Sequence, residues 1–303
     1  MPFVATHSPT LGTVVEIRIE AGPDAAITAD AAAVAEFERL TEIFSIYEPS
    51  SELCRWRRAE LDECSAELTE VLAAAQVWNA ASGGAFHPAI EPIRHRWLVA
   101  AADSKLPDRE ELAQLAAGCA VLPYTVTDGR VHRIGDCSGV DLNAIAKGYI
   151  VDRAAVAALA LPGVDAVMVN AGGDLRHLGE GTVIVGIEDP ATGLDNAPVR
   201  WRVRLTRAGM ATSGGARRGF QVAGQWLGNM LDPRTGWPVA HTTSALVIAA
   251  DAMTADALAT VLGVLPRDEA LARAEAEGWA CLLVAADGSD RESSAWPSEE
   301  LPS

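Results

Sequence analysis

The stretch "DAVMVNAGGDLRHLG", Asp165 to Gly179, decides between two architectures. Its first half is apolar and ends at the glycine pair Gly172-Gly173, the pattern of a buried strand running into a turn. Were a helix to come next, the small-residue turn would be the phosphate-binding corner of a doubly wound parallel sheet. The next residues, "DLRHLG", read as strand instead, and the spacing is not GxGxxG. The dinucleotide fingerprint is therefore weak and a hairpin is the ordinary reading. Asn170, Gly172, Gly173 and Asp174 still permit a positive φ and a close backbone approach, as a cofactor-holding loop requires.

Outward from this hairpin, helices and strands are mixed without βαβ alternation. Upstream, "TVVEIRIEA" alternates as a half-buried strand does, and "AAITADAAAVAEFERLTEIFSIY" puts Ala32, Ala35, Phe37, Leu40 and Phe44 near helical spacing. "SAELTEVLAAAQVWNAASGG" and "DREELAQLAAGCA" read as two further helices, the first closed by a glycine pair suited to a C-cap. "PYTVTDGRVHRI" reads as two short strands around Asp128-Gly129, and "DLNAIAKGYIVDRAAVAALAL" as a helix. Downstream come the strands "GTVIVGIED", "RWRVRLTRAGMATSG" and "SALVIAAD", the helices "TADALATVL" and "RDEALARAEAEG", and a last strand, "WACLLVAA". This order predicts an α+β fold with largely antiparallel sheets and packed helices. Residues 1–290 are expected to form a single domain, and the polar, proline-containing 291–303 a flexible C-terminal tail.

The net charge of −17 over 303 residues leaves no basic field to neutralise a nucleic-acid backbone. An anionic substrate would need a local cation, a metal or a helix N-terminus to hold it. No window approaches the apolar run of about 20 residues that a membrane helix needs. The N-terminus has neither a basic n-region nor a lipobox-like cysteine, so a cytoplasmic location is expected. The five cysteines are scattered and lack CxxC spacing, which fits free thiols in a reducing compartment.

Several stretches could carry chemistry. In "VDLNAIAKGYIVDRAA", Asp141 is expected to cap a helix, with Ala144 and Lys147 on the same side of its first two turns. Gly148 inside that helix costs roughly 1 kcal/mol against alanine, so either a packed neighbour or a ligand must approach the backbone there. In "TADALATVL", Asp256 and Thr260 are four apart and share one helix face. They could reach one ligand, or Thr260 could bond back to the carbonyl four residues earlier while Asp256 stays solvated. "MATSGGARRGF" sets Thr212, Ser213 and Gly214 beside Arg217 and Arg218, an anion clamp or a solvated pair, and "NMLDPRTGWPV" holds a rigid turn. There is no GxSxG, HExxH or P-loop. The oxygen donors Asp141, Asp174, Asp256 and Thr260 suit a hard cation, with magnesium chemistry on a phosphate as the best match.

Taken in chain order, "LGTVVEIRI", "FSIYEPSSEL", "SGGAFHPAIEPI", "DLNAIAKGYIVD", "VNAGGDLRHLG", "ATSGGARRGF", "LDPRTGWPV" and "SALVIAADAMTADALAT" resemble the ApbE family of flavin transferases. The resemblance implies a T-fold-like α+β architecture and Mg2+-dependent cleavage of FAD. FMN would pass to a threonine or serine hydroxyl of an acceptor flavoprotein, with release of AMP, or FAD would be hydrolysed to FMN and AMP. It implies metal ligands at Asp256, Thr260 and the Ala144 carbonyl, and FAD contacts from Leu11, Tyr47, Ala85, Phe86, His87, Asp141 and Lys147. The small-residue stretches add Asn170, Gly172, Gly173, Asp174, Thr212, Ser213 and Gly214, and Met230 joins them as a cofactor contact. Catalytic roles fall on Asp256 and Lys147, and on the position of Asn229, where the family commonly carries a histidine. An amide cannot serve as a general base, so an FAD hydrolase or a non-catalytic FAD-binding protein stays open as the alternative. His87, Gly215 and Ala216 also depart from the family pattern, and Leu11 stands for a methionine.

Overall fold

In the computed structural model, residues 2–190, 198–216 and 218–299 are described. The chain opens with the antiparallel strands β1 (Phe3–Thr10) and β2 (Thr13–Ala21), then α1 (Pro23–Phe44), α2 (Glu52–Arg57), α3 (Ala66–Ala81), α4 (Glu91–Asp103) and α5 (Arg109–Gly118). A hairpin of β3 (Tyr124–Thr127) and β4 (Arg130–Arg133) leads to α6 (Ala146–Leu159), β5 (Val164–Ala171) and β6 (Asp174–Gly179). Next come the hairpin β7 (Val183–Glu188) and β8 (Val199–Leu205), then β9 (Gly209–Gly214), and the hairpin β10 (Gly219–Val222) and β11 (Gln225–Gly228). The chain continues through β12 (Ser244–Ala249), α7 (Ala252–Val264), α8 (Arg267–Glu277), β13 (Ala280–Val284) and β14 (Asp290–Glu292).

The stretch that decides the architecture is a hairpin. Ala171 pairs with Asp174 across Gly172 and Gly173, whose φ values of 61° and 103° are those of a two-residue turn that only glycine adopts readily. Asp128-Gly129 turns in the same way between β3 and β4. Eight strands form one sheet in the order β1-β2-β5-β6-β9-β12-β13-β14, antiparallel throughout. Its two faces follow from the period of two along each strand. Val167, Val169, Ala245, Val247, Cys281 and Leu283 meet the helices, while Met168, Leu246, Leu282 and Val284 meet the β7–β8 hairpin through Ile187, Val203 and Leu205. Central strands covered on both faces explain why "SALVIA" is apolar without alternation. A third cluster joins α4 and α5 to β10 around Trp97, whose indole N–H donates to the Gly236 carbonyl at 2.8 Å.

Four expectations are corrected. On α1 the buried stripe is Ala26, Ala29, Ala33, Phe37, Leu40 and Phe44, so Ala32 and Ala35 lie off it. The run "RWRVRLTRAGMATSG" is two strands in two sheets, because Arg207 adopts φ 48° and turns the chain between β8 and β9. Helix α6 starts at Ala146, not at Asp141: Ile145 has φ −154°, and the Asp141 carboxylate accepts from the nearby Asn143 amide at 2.8 Å, an Asx turn that competes with helix. Finally, of the segment expected to fray, 291–303, residues 291–299 are packed, and 300–303 lie outside the described residues. Trp296 is buried, Ser293 bonds Trp279 and Cys281, and Glu299 pairs with Arg204 at 2.7 Å.

Candidate functional site

Helix α7 is buried on nearly every side, so a carboxylate on it enters the core. Asp256 is 5% exposed, which removes the solvated reading of the Asp256/Thr260 pair. Thr260 does not bond back to its own helix; its Oγ1 lies 3.1 Å from Ser213 Oγ on β9. Ser213 and Thr212 reach this position because β9 runs antiparallel to β12 directly under α7.

The facing helix supplies the other half. Lys147 Nζ lies 2.8 Å from Oδ2 of Asp174, which is the first residue after the Gly172-Gly173 turn and fully buried. Burial works against the Lys147 charge, but Asp174 and Asp256 overcome it and hold the ammonium above its ordinary range. Burial pushes Asp174 up, with Lys147 opposing. Asp256 is pushed well up, first by burial and then by the Asp174 charge, against the pull of Lys147 and the Gly148 amide. One lysine thus stands among two buried carboxylates, an arrangement short of positive charge.

Gly148 explains how the helices come so close. A Cβ there would sit 2.3 Å from the Ala252 carbonyl oxygen and 2.8 Å from Met253 Cα, and the Gly148 N–H donates to Asp256 Oδ2 at 3.2 Å. The close neighbour foreseen at this glycine is the start of α7. Gly148→Ala gains helix propensity, about 1 kcal/mol, yet overpacking against backbone costs about 1–3 kcal/mol or more, and the contact is too short to relieve by a rotamer change. A net loss of about 1–2 kcal/mol is expected, a fall of roughly 2–8 °C in Tm by thermal unfolding. An unchanged or higher Tm would contradict this packing.

The remaining candidates spread outward from this cluster. Asn170 Oδ1 accepts from the Gly173 amide at 3.2 Å and so stiffens the turn. Gly214 ends β9, Met230 is buried against α7 beside Gly263, and Leu11 sits in the β1–β2 turn with φ 52°. Ala85, Phe86 and His87 are buried together, and Asp141 is fastened to them through its own amide, which donates to the Pro88 carbonyl at 2.5 Å. Burial raises the Asp141 carboxyl and depresses His87 to about 4, so the imidazole is neutral. Its Nδ1 accepts from the Ala89 amide at 3.1 Å, which leaves the proton on Nε2, buried with no protein partner.

Tyr47 is 70% exposed, with its hydroxyl 3.4 Å from Arg94. Asn229 is exposed at the end of the β10–β11 hairpin, where its amide donates to the Arg218 carbonyl at 3.0 Å. Ala144 lies in the turn before α6, outside the helix in which it was expected. Arg218 is exposed, yet its charge favours the Asp174 carboxylate and opposes Lys147; Arg217 lies outside the described residues.

Among the described residues, no three histidines, cysteines or acidic groups converge as a metal cluster. The expected set of one carboxylate, one hydroxyl and one main-chain carbonyl is of a different kind. A groove of about 640 Å³ beside Gly84, Ala116 and Arg234 contains none of the candidate groups. Sequence reasoning missed the Gly148 amide, the Asp251 side chain that caps α7 through the Thr254 amide at 2.7 Å, and Asp152. Asp251 was visible as a capping residue before an apolar run; the other two depend on a helix crossing that no local pattern reveals.

The family model described as the ApbE family matches residues 11–283. The FAD:protein FMN transferase of Haemophilus influenzae is 32% identical over 255 residues, covering 79% of this chain and 73% of that protein. That of Vibrio cholerae is 29% identical over 295 residues, covering 93% and 87%. Among solved structures, the ApbE protein of Thermotoga maritima superposes with a TM-score of 0.82 at 27% identity, over 97% of both chains. The flavin transferase ApbE of Vibrio cholerae gives 0.82 at 25% identity, over 98% of this chain and 99% of that one.

Proposed function

The chain belongs to the ApbE family of flavin transferases, and from that premise we propose that it cleaves FAD with the help of Mg2+ and passes FMN to an acceptor flavoprotein. The acceptor's threonine or serine oxygen attacks the FMN phosphorus, the bond to the AMP phosphate breaks, AMP leaves, and the hydroxyl proton is lost to solvent or a base.

The observation that carries this reading is the buried cluster of Lys147, Asp174 and Asp256, two carboxylates to one ammonium. Asp256, Thr260 and the Ala144 carbonyl are hard oxygen donors of the kind magnesium takes, and they would hold it. Bound there, the ion would neutralise charge on the scissile diphosphate. Lys147 supplies a fixed positive charge for the same phosphates, kept ionised by Asp174. The Gly148 amide and Ser213 hold the Asp256 and Thr260 side chains in place. The unpartnered Nε2–H of His87 supports the reading that the 85–87 segment lines the dinucleotide, since a buried donor without an acceptor costs about 1–3 kcal/mol.

The second reading, FAD hydrolysis, is favoured by Asn229 alone, because no base stands at that exposed position. The protein is incubated with FAD, Mg2+ and a candidate acceptor domain, and the acceptor is weighed by mass spectrometry. Addition of FMN to the acceptor, with matching AMP, is expected. AMP without acceptor would mark a hydrolase, and intact bound FAD a binding protein. Asn229→His is expected to speed transfer by about tenfold to a hundredfold, with a new dependence on pH near the ordinary histidine range; an unchanged rate would mean that the proton leaves by another route.

A further inference from the structure

Lys147 and Asp152 lie on the same helix, α6, and Asp174 and Arg176 are two apart on one strand, β6, so that both face it. The two elements are joined twice, with the charges reversed: Lys147 to Asp174 at 2.8 Å, and Asp152 Oδ1 to Arg176 Nε at 3.4 Å. The first pair belongs to the cluster described above. The second has no part in it but holds something the cluster needs. Asp152 Oδ1 accepts from the Ala252 amide and Oδ2 from the Met253 amide, both at 2.9 Å, and Arg176 donates to the Ala250 carbonyl.

The two Asp152 contacts grip the first residues of α7, three to four positions ahead of Asp256, and the Arg176 contact holds the residue before its cap. Asp251 caps only the Thr254 amide, so the Asp152 carboxylate satisfies the free Ala252 and Met253 N–H groups of the first turn. What a carboxylate from a second helix adds is a fixed position of α7 relative to α6. The surrounding backbone fits that position closely. A Cβ on Gly209 would meet the Asp251 carbonyl carbon at 2.2 Å, and one on Gly148 the Ala252 carbonyl oxygen at 2.3 Å, so the start of α7 is wedged between β9 and α6. Both Asp152 and Arg176 are mostly buried, at 16% and 13% side-chain exposure.

We propose that Asp152, steadied by Arg176, is a positioning residue that sets the register of α7, and thereby of Asp256 and Thr260, against Lys147. The proposal rests on the reading of those groups as a metal-dependent FAD site. An α7 displaced by a fraction of a turn would keep its fold and lose the convergence of donors from α6, α7 and β9.

The test uses the full chain and follows FAD binding by flavin fluorescence at increasing Mg2+, with and without Asp152→Asn. The amide side chain can accept with one atom only and turns an N–H towards a backbone N–H. The Mg2+ concentration for half-maximal FAD binding is expected to rise about tenfold to a hundredfold, while metal-free FAD affinity changes less than about threefold. Arg176→Gln, which leaves both Asp152 bonds to α7 in place, is expected to give a smaller rise of the same kind. Equal losses with and without metal, or no change in the Mg2+ requirement in either variant, would overturn the proposal. Absence of any Mg2+ effect in the unaltered protein would instead overturn the metal-site reading beneath it.

Asp152→Asn is also expected to fold, for a reason that can be checked separately. Burial, opposed by the two amides and Arg176 and aided by Asp251, lifts Asp152 to about 6. A carboxyl raised in the folded state stabilises the fold at pH below its unfolded value, and that contribution is lost as pH rises through about 6. The variant should therefore show a flatter dependence of Tm on pH between about 4 and 6 than the unaltered protein.

Discussion

Asp256→Asn is expected to reduce AMP release from FAD by about a hundredfold to a thousandfold while Tm at neutral pH stays the same or rises. The two halves of this expectation have one cause. Asp256 is buried beside Asp174, and its carboxyl is held well above the usual range by burial and then by that neighbour. Such a group contributes stability when protonated and loses it as pH rises through its folded value. Asparagine keeps the shape, can still accept from the Gly148 amide, and carries no charge to desolvate. The same change takes from a hard cation its one charged ligand in the expected set, and losing one stabilising group at a reacting centre costs about 10²–10³-fold in rate. Chromatographic AMP assay and thermal unfolding give the two readouts. A fall in both together would mark Asp256 as structural only. Because the ion must compete with a proton here, its half-saturating concentration should also fall as pH rises through the raised Asp256 value.

Lys147→Met should do the reverse to stability. Methionine keeps the side chain out to Cε and leaves Asp174 fully buried with its ammonium gone. Breaking a buried pair from one side costs about 3–5 kcal/mol, a fall of roughly 6–20 °C in Tm for a chain of this size. Protonation of Asp174 offsets part of the loss, so the deficit should be largest at high pH and shrink as pH falls. Adding Asp174→Asn to Lys147→Met should recover most of it, since the charge left stranded is then removed. Additive losses in the double variant would contradict the pairing. Catalysis is expected to stay low in both, as the cation proposed to face the phosphates is missing.

Much of this site is legible in the residues themselves. The Asp165–Gly179 stretch reveals its hairpin through a glycine pair between apolar and mixed runs, and with it the antiparallel sheet. The Asp256/Thr260 spacing reveals a shared helix face, and the cost of Gly148 signals a close approach. What local pattern could not reveal is which backbone would make that approach, since α6 and α7 are about a hundred residues apart in the chain. The same distance hides Asp152 and Arg176, whose partners are backbone amides and a carbonyl at the start of α7. The misplaced start of α6 has a different origin: Asp141 is a good capping residue by type, but its carboxylate is spent two residues on, in a turn that ends at an extended Ile145. Residues 291–299 pack because one tryptophan, Trp296, joins the apolar cluster between the sheet and the β7–β8 hairpin, a contact that a polar, proline-containing composition conceals.

The central claim is that FAD phosphates and a divalent ion meet among α6, α7 and β6. Crystals grown with FAD and Mn2+ in place of Mg2+ would locate the ion by its anomalous scattering. The account predicts one strong peak bonded to Asp256, Thr260 and the Ala144 carbonyl oxygen, with the diphosphate between it and Lys147. A peak elsewhere, or a nucleotide bound away from Lys147, would contradict it.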